Sequence, residues 1–331
     1  MRAFLLRGFR EPLGPVELER PRASAGRAVV RVLAAGVCYR DFLMWQGFFP
    51  KARLPIVPGH EFAGVVEEVG EGVVEFKPGD RVAGMMYEYC GQCEYCRSGR
   101  EYLCKYRRVY GEDLPGAFAE YISTDVKSLA RVPPTVPLEA ASFAACVLST
   151  VVRGVRKLGP ARQVLVTGAG GGVGIHAVQV AKAMGARVIA VTSAAKAENV
   201  AKFADYVVTE RAFSEEVKKL GGVDGAVEAV GSPTLEQTIR SLNWGGRVAL
   251  IGNIDPQPAA VALGLLILKE IELLPVIQGG REDLEEALRL LATGAVRPVY
   301  TTYGFSQLPQ LLEETPKSTH LGRRVLTISP P

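Results

Sequence analysis

Val164-Leu165-Val166-Thr167-Gly168-Ala169-Gly170-Gly171-Gly172-Val173-Gly174 is the stretch that decides the fold of this chain. The apolar, β-branched run 163–167 reads as a strand, and the glycine-rich turn after it opens a helix over 173–184. A strand, a glycine loop and a helix in that order make the setting a dinucleotide-phosphate cradle requires. In the register that fits the strand-to-helix length, the pattern is Ala169-x-Gly171-x-x-Gly174, with alanine in the first glycine position. Gly171 lets the backbone approach a pyrophosphate, and Gly174 lets the helix pack closely on the strand. Free N–H groups at the start of the helix then face the phosphates. Gly171, Gly172, Val173 and Gly174 are therefore the expected cofactor-binding loop.

The end of the next strand, about 20 positions on, selects the nicotinamide cofactor. It reads Val191-Thr192-Ser193-Ala194-Ala195-Lys196. No carboxylate stands there to bond ribose hydroxyls or repel a 2′-phosphate, whereas Thr192, Ser193 and Lys196 offer hydroxyls and a cation. NADP(H) is expected over NAD(H). Lys196 also admits a plainer role as the first exposed residues of a helix would have it, a solvated cation.

Outward from the loop, helix and strand patterns alternate. Helices are expected over 138–158, 196–203, 214–220, 234–242 and 282–291, with strands at 187–192, 206–208, 225–229 and 247–251. Repeated βα units argue for an α/β doubly wound parallel sheet, the Rossmann arrangement. Residues before Val132-Pro133-Pro134 read instead as short strands and turns, with irregular alternation and glycine corners suited to a curved, barrel-like sheet. The last stretch, 299–303 and 322–327, is strand-like again. The expected division is 1–132 for a β-rich catalytic domain, 133–297 for the dinucleotide domain and 298–331 for a return to the first.

The chain has 331 residues, of which 48% are hydrophobic and 22% charged, values that fit an ordinary globular protein of two domains. A net charge of +4 and the short basic cluster Lys105, Arg107, Arg108 give no case for nucleic acid. The start, Met1 to Arg7, has no cleavage-like site, and the longest apolar run, 259–268, falls short of a membrane span. No membrane association and a cytoplasmic location are expected. Asparagine occurs at three positions only, Asn199, Asn243 and Asn253, which leans towards a thermophilic source.

Four of the six cysteines form Cys90-x2-Cys93-x2-Cys96-x7-Cys104. Four thiolates in one loop make a closed tetrahedral zinc site, and with no open position for substrate such a zinc is structural. Gly91 and Gly99 let the chain turn around it.

Cys38 and Cys146 remain, with His60, one of three histidines, in the setting Pro58-Gly59-His60-Glu61-Phe62-Ala63-Gly64. Two thiolates, one imidazole and an exchangeable position are the composition of a catalytic zinc site. Asp41 could accept the second N–H of His60 and fix its tautomer, and Glu61 is an alternative ligand or a neighbouring carboxylate. The same residues also fit a plainer reading, with Cys38 and Cys146 as small core residues and His60 at a turn.

With these residues in view, the chain resembles the zinc-containing medium-chain dehydrogenase/reductase family over essentially its whole length. Gly59-His60-Glu61-x-x-Gly64-x5-Gly70-x-x-Val73 is similar to the family's zinc signature, and the cysteine lobe and glycine loop follow in the family's order. The resemblance implies a GroES-like catalytic domain, a Rossmann domain and an active site in the cleft between them. It implies hydride transfer between nicotinamide and a zinc-bound alcohol or carbonyl, in a homo-oligomer that is a dimer or tetramer. Cys38, His60 and Cys146 match the catalytic ligands, Asp41 and Glu61 the accompanying carboxylates, and Cys90, Cys93, Cys96 and Cys104 the structural site.

One segment departs from the alcohol dehydrogenases. They carry Ser or Thr two residues after the first zinc cysteine, where this chain has Arg40 in Cys38-Tyr39-Arg40-Asp41. A guanidinium cannot shuttle protons at neutral pH, so exchange would need Tyr39, a ribose hydroxyl or water. The segment is instead similar to an archaeal branch that includes NADPH-dependent acryloyl-CoA reductases, as are Tyr110-Gly111-Glu112 and the run 167–182. There Arg40 either holds an anionic group or makes a salt bridge. Trp45, Phe48 and Phe49 either line an apolar substrate pocket, favouring bulky or aromatic carbonyls, or join the core. His176 is expected to pack inside the cofactor helix, and His320 to be exposed.

Two enzymatic functions follow. The first is a zinc-dependent, NADP(H)-linked alcohol dehydrogenase or ketone reductase. The second is reduction of a carbon–carbon double bond conjugated to a ketone or CoA thioester. A third function, a non-catalytic NADPH-binding protein, remains open because fold does not fix function.

Overall fold

The computed structural model describes residues 1–255, 258–317 and 319–328. Six strands, all paired in parallel, form the expected doubly wound sheet. Their order is Tyr206–Val208, Arg187–Val191, Gln163–Val166, Val223–Glu228, Leu242–Leu250 and Glu272–Pro275. The first strand in sequence lies inside the sheet, so the winding direction reverses between Gln163–Val166 and Val223–Glu228. That switch point is where such sheets open a crevice for ligands.

Both faces of this sheet are buried, which explains its near-continuous apolar strands. Because side chains alternate across a strand, Val164, Val166, Val188 and Ala190 enter one core with helices Ser149–Lys157, Gly174–Ala183 and Arg281–Ala292. Leu165, Ile189, Ala226 and Val248 enter the other, with helices Phe213–Lys219 and Ser232–Ser241.

The GroES-like part is built on one long strand, Arg27–Val37, which pairs antiparallel with Phe62–Val69, Tyr121–Asp125 and Arg323–Thr327. Its register with Phe62–Val69 shifts between Val29 and Val30 and again between Val32 and Ala34. Such irregularities bend a strand and let one strand serve several neighbours. The chain's last described strand, more than 280 residues away in sequence, thus returns to the first sheet with Arg324 opposite Val37.

Three details differ from the sequence reading. The expected continuous helix 138–158 is Leu138–Ser142, a π-turn at Ala144–Leu148, then Ser149–Lys157. The π-turn contains Cys146, and single π-turns interrupt helices mostly at functional sites. The apolar stretch after Ile251 holds a short helix, Leu263–Lys269, and the edge strand Glu272–Pro275. Two strands near the N-terminus, Arg2–Leu5 and Gly14–Glu17, form a separate hairpin-like pair.

His176 joins the two parts. It is fully buried, donates from Nδ1 to Gly172 O at 2.7 Å and accepts at Nε2 from the Val299 N–H at 3.1 Å. That pairing fixes the neutral tautomer, and burial lowers the ring's pKa from 6.5 to about 4. Its stabilisation is complete above pH 6.5 and is lost as pH falls towards about 4, by about 3 kcal/mol in all. Urea-unfolding midpoints measured from about pH 7.5 down to 4.5 should therefore fall more steeply for the wild type than for His176→Asn, which has nothing to titrate. Parallel curves would refute this account.

Candidate active site and metal centres

Neighbouring strand ends bring the site together. Cys38 follows the long strand and starts the short helix Tyr39–Trp45, while Ala35 pairs with Phe62, so His60 and Glu61 arrive alongside. Asp41 lies one turn into that helix and is nearly fully buried. Its Oδ2 accepts from the Cys38 N–H at 2.8 Å, and its Oδ1 lies 2.9 Å from His60 Nδ1. With Nδ1–H donated to Asp41, the His60 Nε2 lone pair points at the sulfurs.

Ligand atoms of Cys38, His60, Glu61 and Cys146 all lie within 4.8 Å of one another. His60 Nε2 and Glu61 Oε1 are buried without a hydrogen-bond partner, and they face each other at 3.9 Å. Orphaned buried donors and acceptors are costly unless something sits between them. Two thiols, an imidazole and a carboxylate converging on one point suit a zinc ion. The thiols polarise one another: Cys146 and His60 pull Cys38 well below its ordinary pKa, while Cys38 and burial push Cys146 up. Burial also raises Glu61 to about 7 against the opposing charge of Arg323, whose Nη2 hydrogen-bonds Glu61 Oε2.

The cysteine lobe is equally well formed. Cys93 Sγ to Cys96 Sγ is 3.5 Å, Cys104 to Cys90 3.6 Å and Cys90 to Cys96 3.9 Å. Sulfurs about 2.3 Å from a tetrahedral zinc stand about 3.8 Å apart, so the spacing fits an ion at the centre. Backbone N–H groups of Gln92 and Cys93 point at Cys90 Sγ, each at 3.4 Å. Gly91 and Gly99, both at positive φ, make the turns.

Between the two parts lies a cavity of about 150 Å³, lined by the glycine loop on one side and by Cys38 and Tyr39 on the other. Gly174 packs as expected, since a Cβ there would meet Gly168 O at 2.2 Å. Lys196 lies over Gly170 beside the buried Thr192, while Ser193 is exposed at the start of the next helix. Arg323, Arg324, His320 and Thr315 complete the lining. Sequence reasoning missed both arginines, because their place in the cleft depends on the register of their strand against Arg27–Val37. His320, expected to be exposed, is half-buried in this cleft, where burial and its cationic neighbours lower its pKa to about 4. A larger cavity of about 460 Å³, bordered by Leu5, Ile56 and Leu114, contains none of the clustered donors.

Arg40 makes the salt bridge rather than lining this cleft. Its Nε and Nη2 donate to Glu112 Oε1 and Oε2 at 2.6 and 2.9 Å, and its guanidinium lies 4.2 Å from the centre of the Phe49 ring. Tyr39 does reach the cleft, where its hydroxyl donates to Ile254 O at 2.9 Å. Trp45 and Phe49 pack against the catalytic-domain core, and Phe48 is 51% exposed.

A glycine loop at the switch point of a parallel sheet, facing a cysteine–histidine cluster across a cleft, is an architecture with room for a ligand and with metal-binding capacity. Residues 24–134 match the alcohol dehydrogenase GroES-like domain, and residues 172–293 match the zinc-binding dehydrogenase domain. The chain is 45% identical over 303 residues to an acryloyl-coenzyme A reductase of Metallosphaera sedula, covering 90% of this chain and 91% of that protein. It is 34% identical over 338 residues to an alcohol dehydrogenase of Geobacillus stearothermophilus, covering 99% and 100%. The crystal structure of AibC superposes with a TM-score of 0.93 at 40% identity, covering 100% of this chain and 96% of that one. The chain belongs to the zinc-type medium-chain dehydrogenase/reductase family of oxidoreductases.

The two clusters lead to a direct expectation. Metal analysis should find two zinc ions per chain, and Cys38→Ser and Cys104→Ser should each lose one. Only Cys104→Ser should lower the thermal midpoint by more than about 5 °C, because a closed structural site contributes folding energy. Retention of both ions in either variant would sink the assignment.

Proposed function

We propose that this protein is an NADPH-dependent reductase of carbon–carbon double bonds conjugated to a carbonyl, with enoyl-CoA thioesters or enones as substrates. The observation that carries the reading is Arg40, held by two hydrogen bonds to Glu112 where an alcohol dehydrogenase begins its proton relay. Reducing a ketone leaves an oxygen that must be protonated beside the metal. Reducing the conjugated double bond adds hydride to the β-carbon and a proton to the α-carbon, and needs no hydroxyl relay from residue 40. The similarity to a protein named acryloyl-coenzyme A reductase points the same way.

Cys38, His60 and Cys146 would hold the catalytic zinc, with Glu61 as a neighbouring carboxylate, and Cys90, Cys93, Cys96 and Cys104 the structural zinc. Bound, the catalytic ion supplies a Lewis acid for a carbonyl oxygen, and the nicotinamide supplies the hydride. Asp41 keeps the His60 tautomer in place. Gly171, Gly172, Val173 and Gly174 present the helix N-terminus to the cofactor phosphates. Thr192, Ser193 and Lys196 favour a 2′-phosphate. Tyr39, its pKa raised by burial and by Asp255, keeps its proton at neutral pH and stands at the cleft. Domain limits of 1–132, 133–297 and 298–331 accompany this reading.

A second reading, a zinc-dependent alcohol dehydrogenase or ketone reductase, is favoured by the complete metal donor set, which a conjugate reductase has less need of. In either case we take the protein as a cytoplasmic homo-oligomer, dimeric or tetrameric. The edge strand Glu272–Pro275 and the exposed Leu263, Ile267 and Leu268 beside it support association. Among the described residues no helix is long and apolar enough to cross a membrane.

Incubation with NADPH and an α,β-unsaturated thioester or ketone should give the saturated carbonyl, identified by mass spectrometry and NMR. An allylic alcohol would establish the second reading instead. Titration of both cofactors should give a KM for NADPH about tenfold or more below that for NADH. A lower KM for NADH would overturn the assignment of Thr192–Lys196.

A further inference from the structure

Glu228, the last residue of strand Val223–Glu228, is completely buried and yet has no part in the metal cluster. Its carboxyl group accepts five hydrogen bonds, and no basic side chain is among the donors. Oε1 takes the Thr167 hydroxyl at 2.7 Å, the N–H groups of Val230 and Gly231 at 2.9 and 3.0 Å, and the Thr234 hydroxyl at 2.7 Å. Oε2 takes the Thr238 hydroxyl at 2.6 Å. Thr167 also accepts from the Ala229 N–H at 3.0 Å, so its single hydroxyl is bonded on both sides.

These bonds join two turns that face one another. Thr167 immediately precedes Gly168, where the glycine loop leaves its strand at a φ of 58°. Val230 and Gly231 form the turn after the neighbouring strand, and a Cβ on Gly168 would meet Val230 Cγ2 at 2.8 Å. Gly168 and Ala229 both line the cleft. The two turns are the two sides of the switch point, so their separation sets the width of the crevice that a dinucleotide must enter.

We propose that Glu228 is a positioning residue for the nicotinamide dinucleotide, and that it acts through Thr167 by tying the glycine turn to the Ala229–Gly231 turn. The carboxyl group touches neither cofactor nor substrate. It supplies one fixed acceptor to donors from both turns, so the cradle's N–H groups are aimed before the cofactor arrives. This inference rests on the reading that the cleft takes a nicotinamide dinucleotide.

The test compares hydroxyl deletions at the same carboxyl group. Thr167→Val removes the bond that reaches the glycine turn, whereas Thr238→Val removes one from helix Ser232–Ser241, which contributes no residue to the cleft lining. Thr167→Val also takes away the acceptor of the Ala229 N–H, so it should be the more destabilised of the two, and the Kd values are compared at a temperature where both variants are folded. Thr167→Val should raise the Kd and KM for NADPH about tenfold, with kcat changed less than about twofold. Thr238→Val should leave the Kd within about twofold, and Thr167→Ser, which keeps the hydroxyl, should restore it. Equal effects of the two valine variants, or an unchanged Kd in Thr167→Val, would overturn the proposal. Fluorescence titration of the wild type with NADPH and with NADH separates the two levels. Absence of any binding would refute the cofactor reading itself, whereas normal wild-type binding with an indifferent Thr167→Val would sink only the role of Glu228.

Discussion

The antiparallel pairing of Arg323–Thr327 with Arg27–Val37 is the constraint on which the site depends. Its register sets Arg324 opposite Val37, which delivers Arg323 to Glu61 across 262 residues of sequence. The same strand brings Gly322 against the glycine loop, where its N–H donates to Gly170 O at 3.3 Å and it forms a bridge with Gly171. A Cβ on Gly172 would meet Arg323 Cδ at 2.4 Å, so the loop and the returning strand are in close contact. Slipping the strand by one residue would send every side chain to the opposite face, taking Arg323 away from both partners at once. The contact of Arg323 with Glu61, the seating of the glycine loop and the cationic side of the cleft therefore depend on one strand register.

Electrostatics explains why the cluster holds together despite its burial. Asp41 and Glu61 are buried beside the partly buried Cys38 and Cys146, and His60 and Arg323 oppose these acidic groups. Buried charges persist only when paired and hydrogen-bonded. Asp41 is satisfied by an N–H and an imidazole, and one oxygen of Glu61 by Arg323. Arg323 Nε is left without a partner, and so are His60 Nε2 and Glu61 Oε1. The last two are electron-pair donors within 4.8 Å of the sulfurs, an arrangement that a dication would complete.

How much of this was legible in the sequence follows from the range of each signal. The glycine loop, the period of its βα units and the spacing of Cys90 to Cys104 are local patterns, and the structure contains a strand, a loop, a helix and a compact sulfur cluster at those places. Cys38, His60 and Cys146 are distant in sequence, and their residue types alone left a core reading open until the fold brought them within 4.8 Å. Arg323, Arg324 and His320 gave no periodic signal, because their position depends on a strand register set by another part of the chain. Glu228 was invisible for the same reason: it ends an ordinary strand, and only tertiary structure gathers Thr167, Thr234 and Thr238 around it. The helix break at Ala144–Leu148 also eluded the pattern, since an extra residue in one turn changes geometry without changing composition.

Proton delivery is where this chain parts from the alcohol dehydrogenases it resembles. The corner after Cys38 sends Tyr39 into the cleft and Arg40 out to Glu112. The Arg40–Glu112 pair is partly buried, with side-chain exposures of 34% and 15%, and it is bidentate and backed by the Phe49 ring. A guanidinium so held cannot give up a proton, and moving it would strand a carboxylate. Tyr39 is the hydroxyl that the Cys38 turn brings to the cleft, and it already has a partner in Ile254 O across it. A hydroxyl that bridges the two parts of the protein must release that contact before it serves a substrate. Under the proposed reduction of a conjugated double bond, proton supply through Tyr39 is coupled to this contact between the two parts.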